Sequence, residues 1–245
     1  MNQDKSKNNT LEFYVINMDK DKSRLITFTE QMNAQGLAFT RHMGPLIKTQ
    51  KVSFFGRSYK VRARGYIGVA LAHLTLWEQI AEKGEDGIYY NILEDDEVIR
   101  ENYKEKILAE INNIQGKIDF FNLSVIRPMG TEMYPGILKI TNKKFSGKTP
   151  NIWLGSYIIT AGGAQKILYY FSKEIKDLNK NFDRILVRIL HKHNNEINSY
   201  VLQDREKHSM HYEVESSKKE INNYHFIFRV VKKIKQLLKS NNKGL

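Results

Sequence analysis

The chain has 245 residues, 41% of them hydrophobic and 11% aromatic, which suits a globular protein of one domain or slightly more and excludes a disordered chain. Cysteine is absent, so disulfides, zinc–thiolate sites and thiol nucleophiles are excluded together. Thirty-nine lysines and arginines against 27 acidic residues leave a net charge of +12, which implies an anionic partner: a nucleotide, a phosphorylated glycolipid, an acidic membrane or nucleic acid.

The excess charge is uneven. From Lys218 onward eight basic residues stand against one acidic residue, so much of it sits on a terminal appendage. A nucleic-acid reader carries its charge on the folded recognition surface, and no nucleic acid is expected here. Residues 1–10 are polar and lack an apolar h-region, so no secretory signal is expected. No apolar run is long enough to span a bilayer, and the protein is expected to be soluble or peripheral.

In chain order, Glu12–Met18 reads as a buried strand. A helix follows, capped by Asp21 or Ser23, with Leu25, Phe28 and Met32 inward and Gly36 at its stop. Leu37–Met43 reads as a second strand, completing the strand–helix–strand opening of an α/β nucleotide-binding layer. Pro45–Gly65 has no clear period and reads as an irregular basic loop. Tyr66–Ala81 is a helix whose stripe includes Val69, His73, Leu76, Trp77 and Ile80. Ile88–Leu93 is a short buried strand that runs straight into Glu94-Asp95-Asp96-Glu97.

Further on, Asn102–Ile114 is helical, Asp119–Val125 a strand, and Pro128 with Gly130 a turn. Ile137–Ile140 and Ile152–Thr160 are strands, and Gly162-Gly163 opens a helix with Ile167, Phe171, Ile175 and Leu178 inward. Asp183–His193 is a helix and Glu196–Leu202 a last strand. Residues 1–215 therefore form the folded domain, and 216–245 a basic amphipathic tail in which Ile227, Val231, Ile234 and Leu238 share a helical face. That pattern fits an interfacial helix on anionic headgroups, or a terminal helix docked on protein.

The acidic run is the most informative feature. Placed directly after a buried strand, it lies at the C-terminal edge where open α/β sheets bind ligands. Strand alternation puts Glu94 and Asp96 on one side and Asp95 on the other. Two carboxylates on one side suit a hard divalent cation, Mn²⁺ or Mg²⁺, with diphosphate oxygens completing its shell. The alternative is a solvated acidic turn.

Val15-Ile16-Asn17-Met18 with Arg24, Gly68 through His73 to Trp77, and Ile92-Leu93-Glu94-Asp95-Asp96 together resemble glycosyltransferase family 25, the lipooligosaccharide galactosyltransferase type. Trp153-Leu154-Gly155-Ser156-Tyr157-Ile158-Ile159, Gly163-Ala164 and Phe182-Asp183 extend the resemblance in the same order along the chain. Ala72 stands where the family often has Ser, and Met18 where Leu is usual.

The resemblance implies a GT-A-like fold, that is, a Rossmann-like mixed sheet with flanking helices. It also implies a UDP-sugar donor, most often UDP-galactose, a lipooligosaccharide or other glycan acceptor, and inversion at the anomeric carbon. Such an enzyme would work in the cytoplasm, peripheral to the inner face of the membrane.

Each candidate also has a plainer role. Asn17 can bond the uracil or ribose, or close a turn. Arg24 can pair with a phosphate, or lie on a helix surface. His73 packs in the core or reaches the nucleotide, and Tyr157 stacks on a sugar or fills the core. Asp95 joins these four as a donor-binding candidate, with Glu94 and Asp96 as metal ligands. Asp183 is the candidate base, or else the cap of its helix. His208 is a late metal or phosphate candidate, and the basic loop from Lys48 to Arg64 can hold donor phosphates or an anionic acceptor. The rival class is a catalytically silent relative that binds a glycan or a partner.

Overall fold

The computed structural model describes residues 9–62, 64–141, 151–204 and 208–211, so the tail helix expected in 216–245 lies outside the described residues. The chain opens with β1 (Thr10–Asn17), α1 (Lys22–Ala34) and β2 (Thr40–Met43), followed by β3 (Lys51–Phe54) and β4 (Arg57–Lys60). Next come α2 (Arg64–Lys83), β5 (Ile88–Glu94), β6 (Glu97–Ile99) and α3 (Tyr103–Asn113). Short strands β7 (Phe120–Asn122), β8 (Val125–Arg127), β9 (Thr131–Tyr134), β10 (Ile137–Lys139) and β11 (Asn151–Ile152) lead to β12 (Ser156–Ile159). The described chain ends with α4 (Ala161–Glu174), α5 (Phe182–Lys192), β13 (Ser199–Leu202) and β14 (Ser209–His211).

Eight strands form one mixed sheet in the order β2-β1-β5-β12-β7-β13-β10-β9. β2, β1 and β5 run parallel, β12 is antiparallel between β5 and β7, and β13 returns parallel to β7. Strand alternation feeds two apolar layers. Ile16, Tyr90, Ile92, Tyr157 and Val201 pack on one face with residues of α2, α4 and α5. Val15, Leu93, Ile158, Phe121 and Leu202 pack on the other with α1 and α3. Helices on both faces of a largely parallel half-sheet leave its C-terminal edge open for a site.

The region expected to be an irregular loop holds a hairpin instead. β3 and β4 pair antiparallel across Phe55 and Gly56, whose φ values of 50° and 66° are those of a primed two-residue turn. Phe54 and Tyr59 are buried beneath it. The alternation Lys51-Val52-Ser53-Phe54 is only four residues long, and a Phe-Gly turn lacks the usual Asn-Gly signal, so the basic residues mask the strand period. Likewise the expected strand from Asp119 ends at Asn122, and β12 starts only at Ser156. β6, β9 and β14, too short to show a period, were not foreseen.

α4 begins where the glycine pair demands. Thr160 caps it, its Oγ1 accepting from Gly163 N at 3.1 Å. A Cβ at Gly163 would overlap the Asp119 carbonyl oxygen, so glycine lets the helix approach the start of β7. Because the obstacle is backbone, Gly163→Ala should lower stability by about 1–3 kcal/mol. The urea unfolding midpoint measures this, and an unchanged midpoint would show that the helix can shift at no cost.

Candidate active site

Register builds the site. β1 and β5 are parallel with Ile16 opposite Glu94, so Asn17 stands beside Asp95 at their shared C-terminal edge. Glu94 continues the parity of Tyr90 and Ile92 and faces α2, where its Oε1 lies 3.3 Å from His73 Nε2. The strand then stops, and Asp95-Asp96 forms a turn. Asp95 points to the α1 side as alternation requires, but Asp96 curls to that side too. Arg24 Nη1 lies 3.2 Å from Asp95 Oδ1 and 3.2 Å from Asp96 Oδ2, while Nη2 lies 2.8 Å from Asp21 Oδ2. Glu94 and Asp96 therefore do not share a face as expected, because the strand ends at Glu94 and its alternation does not carry through the turn to Asp96.

The same guanidinium changes the picture of Arg24. It is engaged by three carboxylates, so meeting a phosphate would require it to exchange partners. Asn17 is fixed from both ends: its Nδ2 donates to Asp95 Oδ2 at 2.5 Å and to the Asp21 carbonyl at 3.1 Å, and its Oδ1 accepts from Arg41 Nε at 3.0 Å. Burial pushes the Asp95 carboxyl up to about 6, against the opposing pull of Asn17 and Arg24.

Behind Glu94 runs a buried chain of hydrogen bonds. Trp77 Nε1 donates to the Tyr157 hydroxyl at 2.8 Å, and that hydroxyl lies 2.8 Å from His73 Nδ1. The Glu94 carboxylate accepts from the imidazole N–H, which leaves Nδ1 to accept the hydroxyl proton of Tyr157, while the hydroxyl oxygen accepts from the indole N–H of Trp77. The ring proton of His73 then sits on Nε2, aimed at Glu94. Burial pushes His73 down to about 4, so the imidazole is neutral and its contact with Glu94 is a hydrogen bond rather than an ion pair.

Phe182 stacks on the imidazole with ring centroids 5.7 Å apart. Both His73 and Tyr157 are 0% exposed. Their burial matches the core-packing alternative, and from the core they hold Glu94, whose side chain keeps 25% exposure. Gly155, just before β12, packs against the buried Glu97 carboxylate where a Cβ would collide with it.

Asp183 is not the helix cap. Asn181 takes that role, its Oδ1 accepting from Arg184 N at 3.0 Å, and so leaves the Asp183 carboxylate available. Phe182 on the imidazole places Asp183 within electrostatic reach of both His73 and Glu94. Burial first and the Glu94 charge second push Asp183 up to about 7, while His73 pulls it down. A carboxylate with its pKa near the working pH has the properties of a general base.

Sequence reasoning did not find Arg41 or the tie between Trp77 and Tyr157. The signal for the latter was present: Trp77 lies four residues after His73, on one helix face. His208 is instead buried against Glu110, with Nε2 3.3 Å from Oε1.

Among the described residues no group of three or more His, Cys, Asp and Glu side chains is gathered for a metal. Glu94, Asp95 and Asp96 do offer the hard oxygens a divalent cation takes, although Glu94 lies on the α2 side and Asp95 and Asp96 on the α1 side with Arg24. The set fits such an ion in charge and donor chemistry, provided phosphate oxygens complete its shell.

The sequence matches glycosyltransferase family 25 (LPS biosynthesis protein) over residues 10–186. A comparison with curated proteins gives no match. Among solved structures, a glycosyltransferase involved in the glycosylation of the major capsid of PBCV-1 aligns over 79% of this chain and 92% of that chain, at 10% identity and a TM-score of 0.40. Likeness at that level carries no argument about function, and the family match stands beside the site geometry.

The raised Asp183 carboxyl has a consequence for stability. Its folded pKa of about 7 exceeds the unfolded 3.8, so the stabilisation it contributes is complete below the unfolded value and is lost as pH rises through about 7. Asp183→Asn stays neutral throughout. Its stability relative to the native chain should therefore climb by about 1–3 kcal/mol between about pH 4 and about pH 8. Urea titrations across that range test this, and a pH-independent difference would mean that Asp183 titrates as an ordinary carboxylate.

Proposed function

We propose that this chain, which belongs to glycosyltransferase family 25, transfers a hexose from a UDP-sugar to a lipooligosaccharide or related glycan acceptor. The observation that carries the reading is Asp183, held up to about 7 beside Glu94 at the edge where β1 and β5 end. In the proposed step the acceptor hydroxyl oxygen forms a bond to the anomeric carbon as its proton passes to the Asp183 carboxylate. The bond from that carbon to the diphosphate oxygen breaks, and UDP leaves with the electron pair. One displacement inverts the anomeric centre. Galactose is the favoured hexose because the resemblance is to galactosyltransferases.

On the donor side, Asn17, Arg24 and Asp95 form the rim nearest the nucleotide. Glu94 and Asp96 are the residues proposed to hold Mn²⁺ or Mg²⁺, and such an ion would neutralise charge on the departing diphosphate as a Lewis acid. His73 and Tyr157 serve this site from behind by fixing Glu94. No helix of the described residues is long and apolar enough to cross a membrane. Placement on the inner membrane face through the basic tail belongs to the same proposal.

Arg24 favours a second form of the reading. Its guanidinium already bridges Asp95 and Asp96, and released from them it can serve the diphosphate as a cation without any metal.

Thermal unfolding with UDP separates these forms. With a metal site, UDP should raise Tm only in the presence of Mn²⁺, and Asp96→Ala should abolish the shift. A shift without metal that survives Asp96→Ala but disappears in Arg24→Ala would establish the Arg24 form. No shift at millimolar UDP, with or without metal, would remove the UDP-sugar reading.

A further inference from the structure

Between Gln31 and Trp77 the sequence contains seven lysines and arginines and no acidic residue. The β3–β4 hairpin lies in the middle of this stretch. One of its faces is apolar and turned inward, with Phe54, Tyr59 and the following Val61 buried. The other face presents Lys51, Ser53, Ser58 and Lys60 to solvent, with Arg57 exposed at the turn. Lys51 and Lys60 are direct partners across the ladder. Like charges placed directly opposite one another are unfavourable in a hairpin, and neither lysine has an ion pair among the described residues. The arrangement is electrostatically incomplete without an anion.

The hairpin is anchored beside the candidate base. Tyr59 donates its hydroxyl proton to the Ile175 carbonyl at 3.3 Å. Asn179 Nδ2 donates to the Lys60 carbonyl at 2.6 Å, and Asn179 Oδ1 accepts from Arg62 N at 2.6 Å. Asn179 belongs to the short segment that runs into α5, where Asp183 is the second residue. From that same end of the hairpin the chain continues into α2, which carries His73. The basic face therefore extends from the same two elements that build the proton-accepting end of the site.

We infer that the outer face of the β3–β4 hairpin, through Lys51 and Lys60, docks a phosphate group of an anionic glycan acceptor. The inference rests on the transferase reading and adds to it the charge and the landing place of the acceptor. Opposed lysines have Cβ atoms about 5 Å apart, close enough for both ammonium groups to reach one phosphate. A phosphomonoester dianion matches that pair in charge; Arg57, whose ladder partner is Phe54, lies on the other parity and adds only its exposed cation at the turn to the surrounding field. Ser53 and Ser58, direct partners between them, add hydroxyl donors on the same face.

The test is binding rather than turnover, so it remains informative even if the donor assignment fails. The full chain is titrated with O-deacylated lipooligosaccharide and with the same material after hydrogen fluoride has removed its phosphates. The native protein should bind the phosphorylated form about tenfold or more tightly than the other, with the difference shrinking as salt rises. Lys51→Ser/Arg57→Ser/Lys60→Ser should lose that preference while keeping the native Tm and any UDP response, since all three side chains are exposed.

Equal affinity of the native protein for both forms would overturn the inference, as would a preference that survives the triple substitution. Binding of the same face to phosphatidylglycerol vesicles, with no preference between the glycans, would also overturn it in favour of a membrane contact. Failure of UDP to stabilise the protein would instead count against the transferase reading alone.

Discussion

Repulsion between carboxylates is the constraint on which this molecule depends. Parallel pairing of β1 with β5, together with the start of α1 and the start of α5, brings Asp21, Glu94, Asp95, Asp96 and Asp183 within electrostatic reach of one edge of the sheet. Three different devices make that convergence tolerable. Arg24 supplies a cation to Asp21, Asp95 and Asp96. A neutral imidazole directs an N–H at Glu94 from a sealed aromatic box. Asp95 and Asp183 hold their protons to higher pH than free carboxyls do. Each device leaves part of the acidity available for work, which is what separates this edge from an ordinary solvated turn.

Much of the surrounding architecture serves that edge. Tyr157 belongs to the sheet, Trp77 to α2 and Phe182 to α5, yet all three rings meet around the His73 imidazole. Rotamers locked in this way give Glu94 a fixed position without spending solvent-exposed surface on the task. Buried polar chains of this kind are costly when broken, since each lost partner strands a donor or acceptor in a low-dielectric interior. The positions of Glu94 and Asp183 are thus coupled through packing as well as through charge.

The α/β order was legible because long periodic segments are hard to misread. The helix expected over Tyr66–Ala81 and the run from Ile88 to Leu93 appear where expected, although Val69 of the expected stripe is exposed and Ile67 is buried instead. The acidic run stands out in the sequence as a candidate site because it follows a buried strand with no linker. Side-chain direction within it was not legible. Alternation holds only while the strand lasts, and nothing in the residue types shows that it ends at Glu94.

His73 and Tyr157 show the reverse difficulty. Their spacing revealed a buried face, whereas their functional meaning depends on each other, 84 positions apart. Asp183 was ambiguous between cap and base until Asn181 was seen to cap the helix. The hairpin escaped notice because four-residue strands carry too little period to rise above their basic residues.

The account stands or falls on Asp183 as the group that takes the acceptor proton. The most direct measurement is transfer from UDP-galactose by Asp183→Asn, with UDP binding measured in parallel. The account expects transfer to fall by about 10²–10⁴-fold while UDP affinity is retained, as for loss of a general base. Transfer close to the native rate, with UDP still bound, would contradict it and move the chemistry to another residue of the acidic edge.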